Sequence, residues 1–123
     1  VITDDHMNEL DFGLRLAGLE KDASVHRDEF SVCLARKIEI RECFMNCFGH
    51  HASTWSVGRY VPMESGDGQP SDADAFAFSF HEIQNCNSFA EAVALAAGEI
   101  VRTKIFTALN LLENKQKQNK GNI

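Results

Sequence analysis

The chain is predicted to be all-α, a small disulfide-braced domain of about five or six helices. Three observations carry this: apolar residues at spacings of three and four, Ser- or Thr-led caps ahead of them, and an even set of four cysteines. Thr3, followed by Asp4 and Asp5, offers a capping oxygen and acidic charge to the positive end of a helix dipole. Met7, Leu10, Leu14 and Ala17 follow at helical spacing, so a first helix is expected over about residues 4–20.

Ser24 can cap a second segment, in which Asp28 and Glu29 precede Phe30, Cys33 and Leu34. The stretch from Lys37 to Glu42 alternates apolar and polar residues, a pattern that suits a turn or an extended link as well as a helix, and predicts a break. From Glu42 to His51 the spacing of Cys43, Cys47 and His51 reads as helical again, with Phe44 and Phe48 on an adjoining stripe. Residues 52–70 hold both prolines, three glycines and several serines, which marks a long surface loop or a short turn of helix followed by one.

Two capping boxes follow. Ser71 with Asp74 opens a helix through Phe76 and Phe80 to about Asn85, and Ser88 with Glu91 opens the longest one, over about residues 89–112. In that last helix Phe89, Val93, Ala97, Val101, Ile105, Ala108 and Leu112 form a stripe that Ile100, Phe106, Leu109 and Leu111 widen. It is expected to be central and contacted on more than one side. Residues 1–114 are read as one helical domain and 115–123 as a polar, frayed tail.

Composition excludes several classes. A chain of 123 residues fits one domain, and 44% hydrophobic with 24% charged residues is typical of a soluble globular protein. No apolar run is long enough for a membrane span. A net charge of −6 and a basic run confined to Lys115, Lys117 and Lys120 argue against nucleic acid as a partner. The start at Val1 and the even number of cysteines lead to the expectation of a secreted protein from which a leader has been cut.

The cysteines, Cys33, Cys43, Cys47 and Cys86, permit three pairings. On one helical face, Cys43 and Cys47 are badly placed to bond each other, which leaves Cys33–Cys47 with Cys43–Cys86 or Cys33–Cys43 with Cys47–Cys86. In one straight helix Cys33 and Cys47 would stand about 21 Å apart, so either framework needs the break before Cys43. A metal site on Cys43, Cys47 and His51, completed by Cys86 or His81, lacks a zinc spacing, and neither metal nor cofactor is expected. His50 and His51, adjacent beside the loop, are better read as a solvated end than as a pH switch. No nucleophile elbow, P-loop, dinucleotide glycine pattern or zinc-protease helix occurs, and Asp72 and Asp74 read as helix-start charges; no enzyme is expected.

The Cys43-x3-Cys47 pair with Cys86 downstream, the Glu39-Ile40-Arg41-Glu42 approach and the Gly66-Asp67-Gly68 turn are similar to insect odorant-binding and pheromone-binding proteins. The framework differs from theirs, with no cysteine near Leu16 to Gly18, none in residues 95–110, and Cys33 extra. The resemblance implies the pairing Cys33–Cys47 with Cys43–Cys86, and a helical shell that carries a small lipophilic molecule. A cavity would then lie among Phe44, Phe48, Phe76, Phe80, Phe89, Val93 and Ile100, with Trp55 near its mouth. The alternative is a secreted interaction or signalling protein with a solid core and a protein receptor as its partner.

Overall fold

The computed structural model describes residues 1–22, 24–47, 50–62 and 78–120, with the side chains at 45–47, 50–52, 62, 78 and 118–120 also outside the description. Among the described residues two α-helices flank five antiparallel strands: α1 (Asp4–Leu16), β1 (His26–Arg27), β2 (Ser31–Cys33), β3 (Ile38–Cys47), β4 (His50–Pro62), β5 (Phe78–Cys86) and α2 (Phe89–Lys120). The strands pair in sequence order, so the sheet is a simple meander. The expected all-α class is therefore corrected to α+β. Of the segments predicted as helices, residues 42–47, 50–51 and 78–85 are strands, and so are residues 52–62 of the predicted loop, while the predicted helix start at Ser71 through Phe76 lies outside the described residues.

α1 begins at the predicted place. Thr3 caps it by accepting from the His6 amide at 3.2 Å, while the His6 ring accepts from the Thr3 amide at 3.0 Å. It ends at Leu16 rather than near residue 20, because Gly18 takes a left-handed φ of 72° and the Leu19 amide turns back to the Leu14 carbonyl. α2 opens at Ser88, whose hydroxyl accepts from the Glu91 amide at 3.2 Å, and continues past residue 112 to Lys120. The predicted tail is thus helical over 115–120.

The strands follow from alternation. On one face of the sheet Val32, Ile38, Ile40, Trp55, Val57 and Cys86 are buried, while their neighbours Arg41, Thr54 and Asn85 face the other way. α2 lies across the apolar face with Phe89, Ala92, Val93, Ala96, Ala97 and Ile100 buried, and α1 adds Leu10 and Leu14 to the same core. Polar ties hold α2 in place: Arg59 bridges to Glu99 and Thr103, both at 3.1 Å, and Lys104 reaches Asp22 at 2.8 Å. β2 turns into β3 through Arg36 and Lys37, both at φ 60° in the left-handed region, with the Leu34 amide donating to the Ile38 carbonyl at 2.7 Å.

The register removes the expected disulfides. Cys33, Cys43 and Cys86 are free thiols, and the Cys47 side chain lies outside the described residues. Cys33 stands opposite Glu39, so Cys47 lies eight positions further along β3, about 26 Å away. Cys43 pairs in register with Thr54 and Cys86 with Trp55, which places these two side chains on opposite faces of the sheet. In the other framework Cys33 and Cys43 are four positions out of register, about 13 Å, and Cys47 and Cys86 are offset by five, about 17 Å.

Candidate functional site

An open apolar groove lies between α1 and α2, on the side of the helices away from the sheet. It measures about 720 Å³, and Phe12, Leu16, Ala94, Ala97, Gly98 and Val101 line it. The two helices run in the same direction, because the His6 ring sits 4.7 Å from Phe89 while Gly13 lies against Val93. Gly13 is what lets them meet. A Cβ there would fall 2.4 Å from Val93 Cγ1, so only glycine allows this approach and sets the groove floor.

Small residues on α2 open the groove further. Ala90, Ala94, Ala97, Gly98 and Val101 recur at helical spacing, and the same stripe continues through Ile105, Ala108 and Leu112 as α2 runs on. In this far half Ile105, Phe106, Leu109, Leu111 and Leu112 are all more than half exposed, as are Phe12 and Leu16 across the groove. Ile105, Leu109 and Leu112 share the face of α2 that lines the groove, while Phe106 and Leu111 lie on its two flanks.

The residues expected to line an internal cavity are divided among three places. Phe89, Val93, Ile100 and Trp55 come together in the core under α2, where Trp55 packs edge-on to Phe89 and His6 at 4.9 Å. Trp55 therefore sits buried on β4 instead of beside a mouth. Phe44 is 62% exposed on β3 and meets Phe30 edge-on at 5.3 Å. Phe80 lies on the opposite face of the sheet, while Phe48 and Phe76 fall outside the described residues. Val93 alone of these eight also lines the groove. Phe12, Leu16 and the far half of α2 were not singled out as site residues. Their signal was a second apolar stripe on each helix, more than burial against one sheet requires.

The sheet face opposite α2 carries a polar cluster. Arg41 donates to Tyr60 Oη at 2.6 Å and to Glu39 Oε1 at 3.0 Å, and its guanidinium stacks 3.9 Å from the Phe80 ring. The Phe80 ring closes over Gly58, and Ser56 donates to Glu82 at 2.7 Å beside it. Glu39 is buried with Oε2 unpartnered among the described residues. Burial, and then the hydrogen bond with Glu39, push the Tyr60 phenol above its ordinary range against the pull of Arg41. Burial, followed by Glu39 and Asp28, raises the Cys33 thiol, and burial followed by Glu91 raises Cys86, so both stay protonated near neutrality.

Among the described residues no three His, Cys, Asp or Glu side chains converge as metal ligands, and no helix is long and apolar enough to cross a membrane. Comparison with protein families, characterised proteins and solved structures found no match in any of the three.

Proposed function

We propose that the protein is an interaction module that recognises an apolar helical segment along the α1–α2 face. The observation that carries this reading is the continuity of the groove with the exposed apolar run from Ile105 to Leu112. A helix laid in a groove reads anchors at spacings of three and four, and small residues such as Ala94 and Gly98 let its backbone come close. Small-molecule carriage is the second reading, favoured by one observation: a groove of about 720 Å³ is of the size that encloses drug-sized lipophiles.

Titration with the lipophilic probe anilinonaphthalene sulfonate tests the site itself. Its emission should rise and shift to the blue with the dilute native protein, with about micromolar affinity, near −8 kcal/mol. Ala94→Trp, at an exposed position in the groove, should abolish that binding while leaving the circular dichroism unchanged. Equal binding by the variant, or none by the native chain, would remove the groove as a site. A co-purified lipophile in a native mass spectrum would favour carriage over helix recognition.

A further inference from the structure

We infer that the helix recognised by this face is α2 of a second copy, packed antiparallel about a two-fold axis at Val101; this rests on the interaction reading above. The argument lies in how residue size is distributed along one stripe of one helix. The near half of the stripe is small, with Ala90, Ala94, Ala97 and Gly98, and the far half is large, with Ile105, Leu109 and Leu112. Antiparallel pairing centred on Val101 sets Leu112 opposite Ala90, Leu109 opposite Val93, Ala108 opposite Ala94 and Ile105 opposite Ala97. Each large side chain meets a small one or a groove wall, and the contact repeats on the other side of the axis, as a two-fold interface must.

Charge follows the same direction. α1 carries Asp4, Asp5, Glu9 and Asp11 against Arg15 alone, and Glu9 stands at the lip of the groove beside Ala90. Antiparallel pairing brings Lys115 and Lys117 of the second copy to that acidic end, whereas parallel pairing would set lysines beside lysines. The area is sufficient as well. Phe12, Leu16, Ile105, Leu109 and Leu112 are each more than half exposed. At roughly 150–200 Å² per side chain they contribute on the order of 1,000 Å² over two copies, the lower bound for a specific interface.

Sedimentation velocity between about 1 and 100 µM, a span that covers weak interfaces of this size, should show a reversible monomer–dimer equilibrium. Ile105→Glu with Leu112→Glu alters only exposed positions, so the variant should keep the native emission of Trp55 in the core and sediment as a monomer throughout. Under mild oxidation Val101→Cys should give a disulfide-linked dimer, since the residue meets itself on the axis; Asn110→Cys, on the opposite side of α2, and the native chain should not. A monomer at about 100 µM, a dimer that survives the two glutamates, or a dimer that Val101→Cys fails to link would each overturn the inference. A monomeric chain that still binds anilinonaphthalene sulfonate in an Ala94-dependent manner would overturn only the self-pairing. A monomer that binds no probe would overturn the interaction reading with it.

Discussion

Gly13→Ala probes the contact that creates the groove. The added Cβ would lie 2.4 Å from Val93 Cγ1, where carbon–carbon contact needs about 3.5–4.0 Å, so α1 and α2 must part by about 1 Å or more. Val93 is 4% exposed and β-branched in a helix, with little rotamer freedom to move away. Overpacking of this kind costs about 1–3 kcal/mol, and the helix preference of alanine over glycine returns about 1 kcal/mol. Gly98→Ala is the matched control: apart from its chain neighbours and the helix's own backbone no heavy atom lies within 4 Å of its Cβ position, so only the favourable part, about 1 kcal/mol, remains. The difference between the two substitutions isolates the packing cost. Urea unfolding followed by the fluorescence of Trp55, the one tryptophan and a buried one, measures both, with Ile105→Glu present in each so that self-association does not enter. Val93→Ala added to Gly13→Ala should recover about 1 kcal/mol of coupling in the double-mutant cycle. Equal and stabilising effects of the two alanines would mean that α1 does not touch α2 at Gly13.

Other perturbations follow from the sheet. Gly58→Ala would bring a Cβ within 2.3 Å of Phe80 Cζ and 2.7 Å of the His81 carbonyl, which as backbone cannot swing aside. A loss of about 2–3 kcal/mol is expected in urea unfolding, only partly relieved by Phe80→Ala. Arg36→Gly releases a non-glycine residue from φ 60° in the β2–β3 turn for the loss of one exposed 3.5 Å hydrogen bond to Thr107, and should gain about 1 kcal/mol; a loss would argue against the left-handed turn. The raised phenol of Tyr60 and raised thiols of Cys33 and Cys86 make the folded chain hold protons that the unfolded chain releases. Their contribution is complete below the ordinary thiol and phenol values and is lost as pH rises through the folded ones. Stability should therefore fall from about pH 9 upward, and less steeply in Tyr60→Phe; a flat alkaline profile would contradict the burial of these groups.

The helices were legible because their signals are local. Thr3 with its two aspartates and Ser88 with Glu91 mark both helix starts, and the long stripe after Phe89 has no strand equivalent. The sheet was missed because a spacing of four is even. Cys43 and Cys47 share a face in a strand as surely as in a helix. The decisive signal lay in the alternation of Ile38 and Ile40 with Glu39 and Arg41, read only as a break, and of Trp55 and Val57 with Thr54 and Ser56, hidden by the glycine and prolines around them. Once these segments are strands, the cysteine frameworks fail, because pairings drawn for helices are offset along the ladder or split between its faces. The groove was half visible: apolar residues on more than one side of α2 require a second contact, but only the fold shows that the sheet takes one side and α1 leaves the other open.

Hydrogen–deuterium exchange along α2 tests the central claim most directly. Beyond Lys104 the helix leaves the core, and an isolated stretch of this length is marginal in water. If a second copy covers it, the amides of residues 105–112 gain protection as protein concentration rises, while those of β3 and β4 do not change. Rapid exchange of residues 105–112 at every concentration, in a chain whose sheet stays protected, would show that no second copy covers this face.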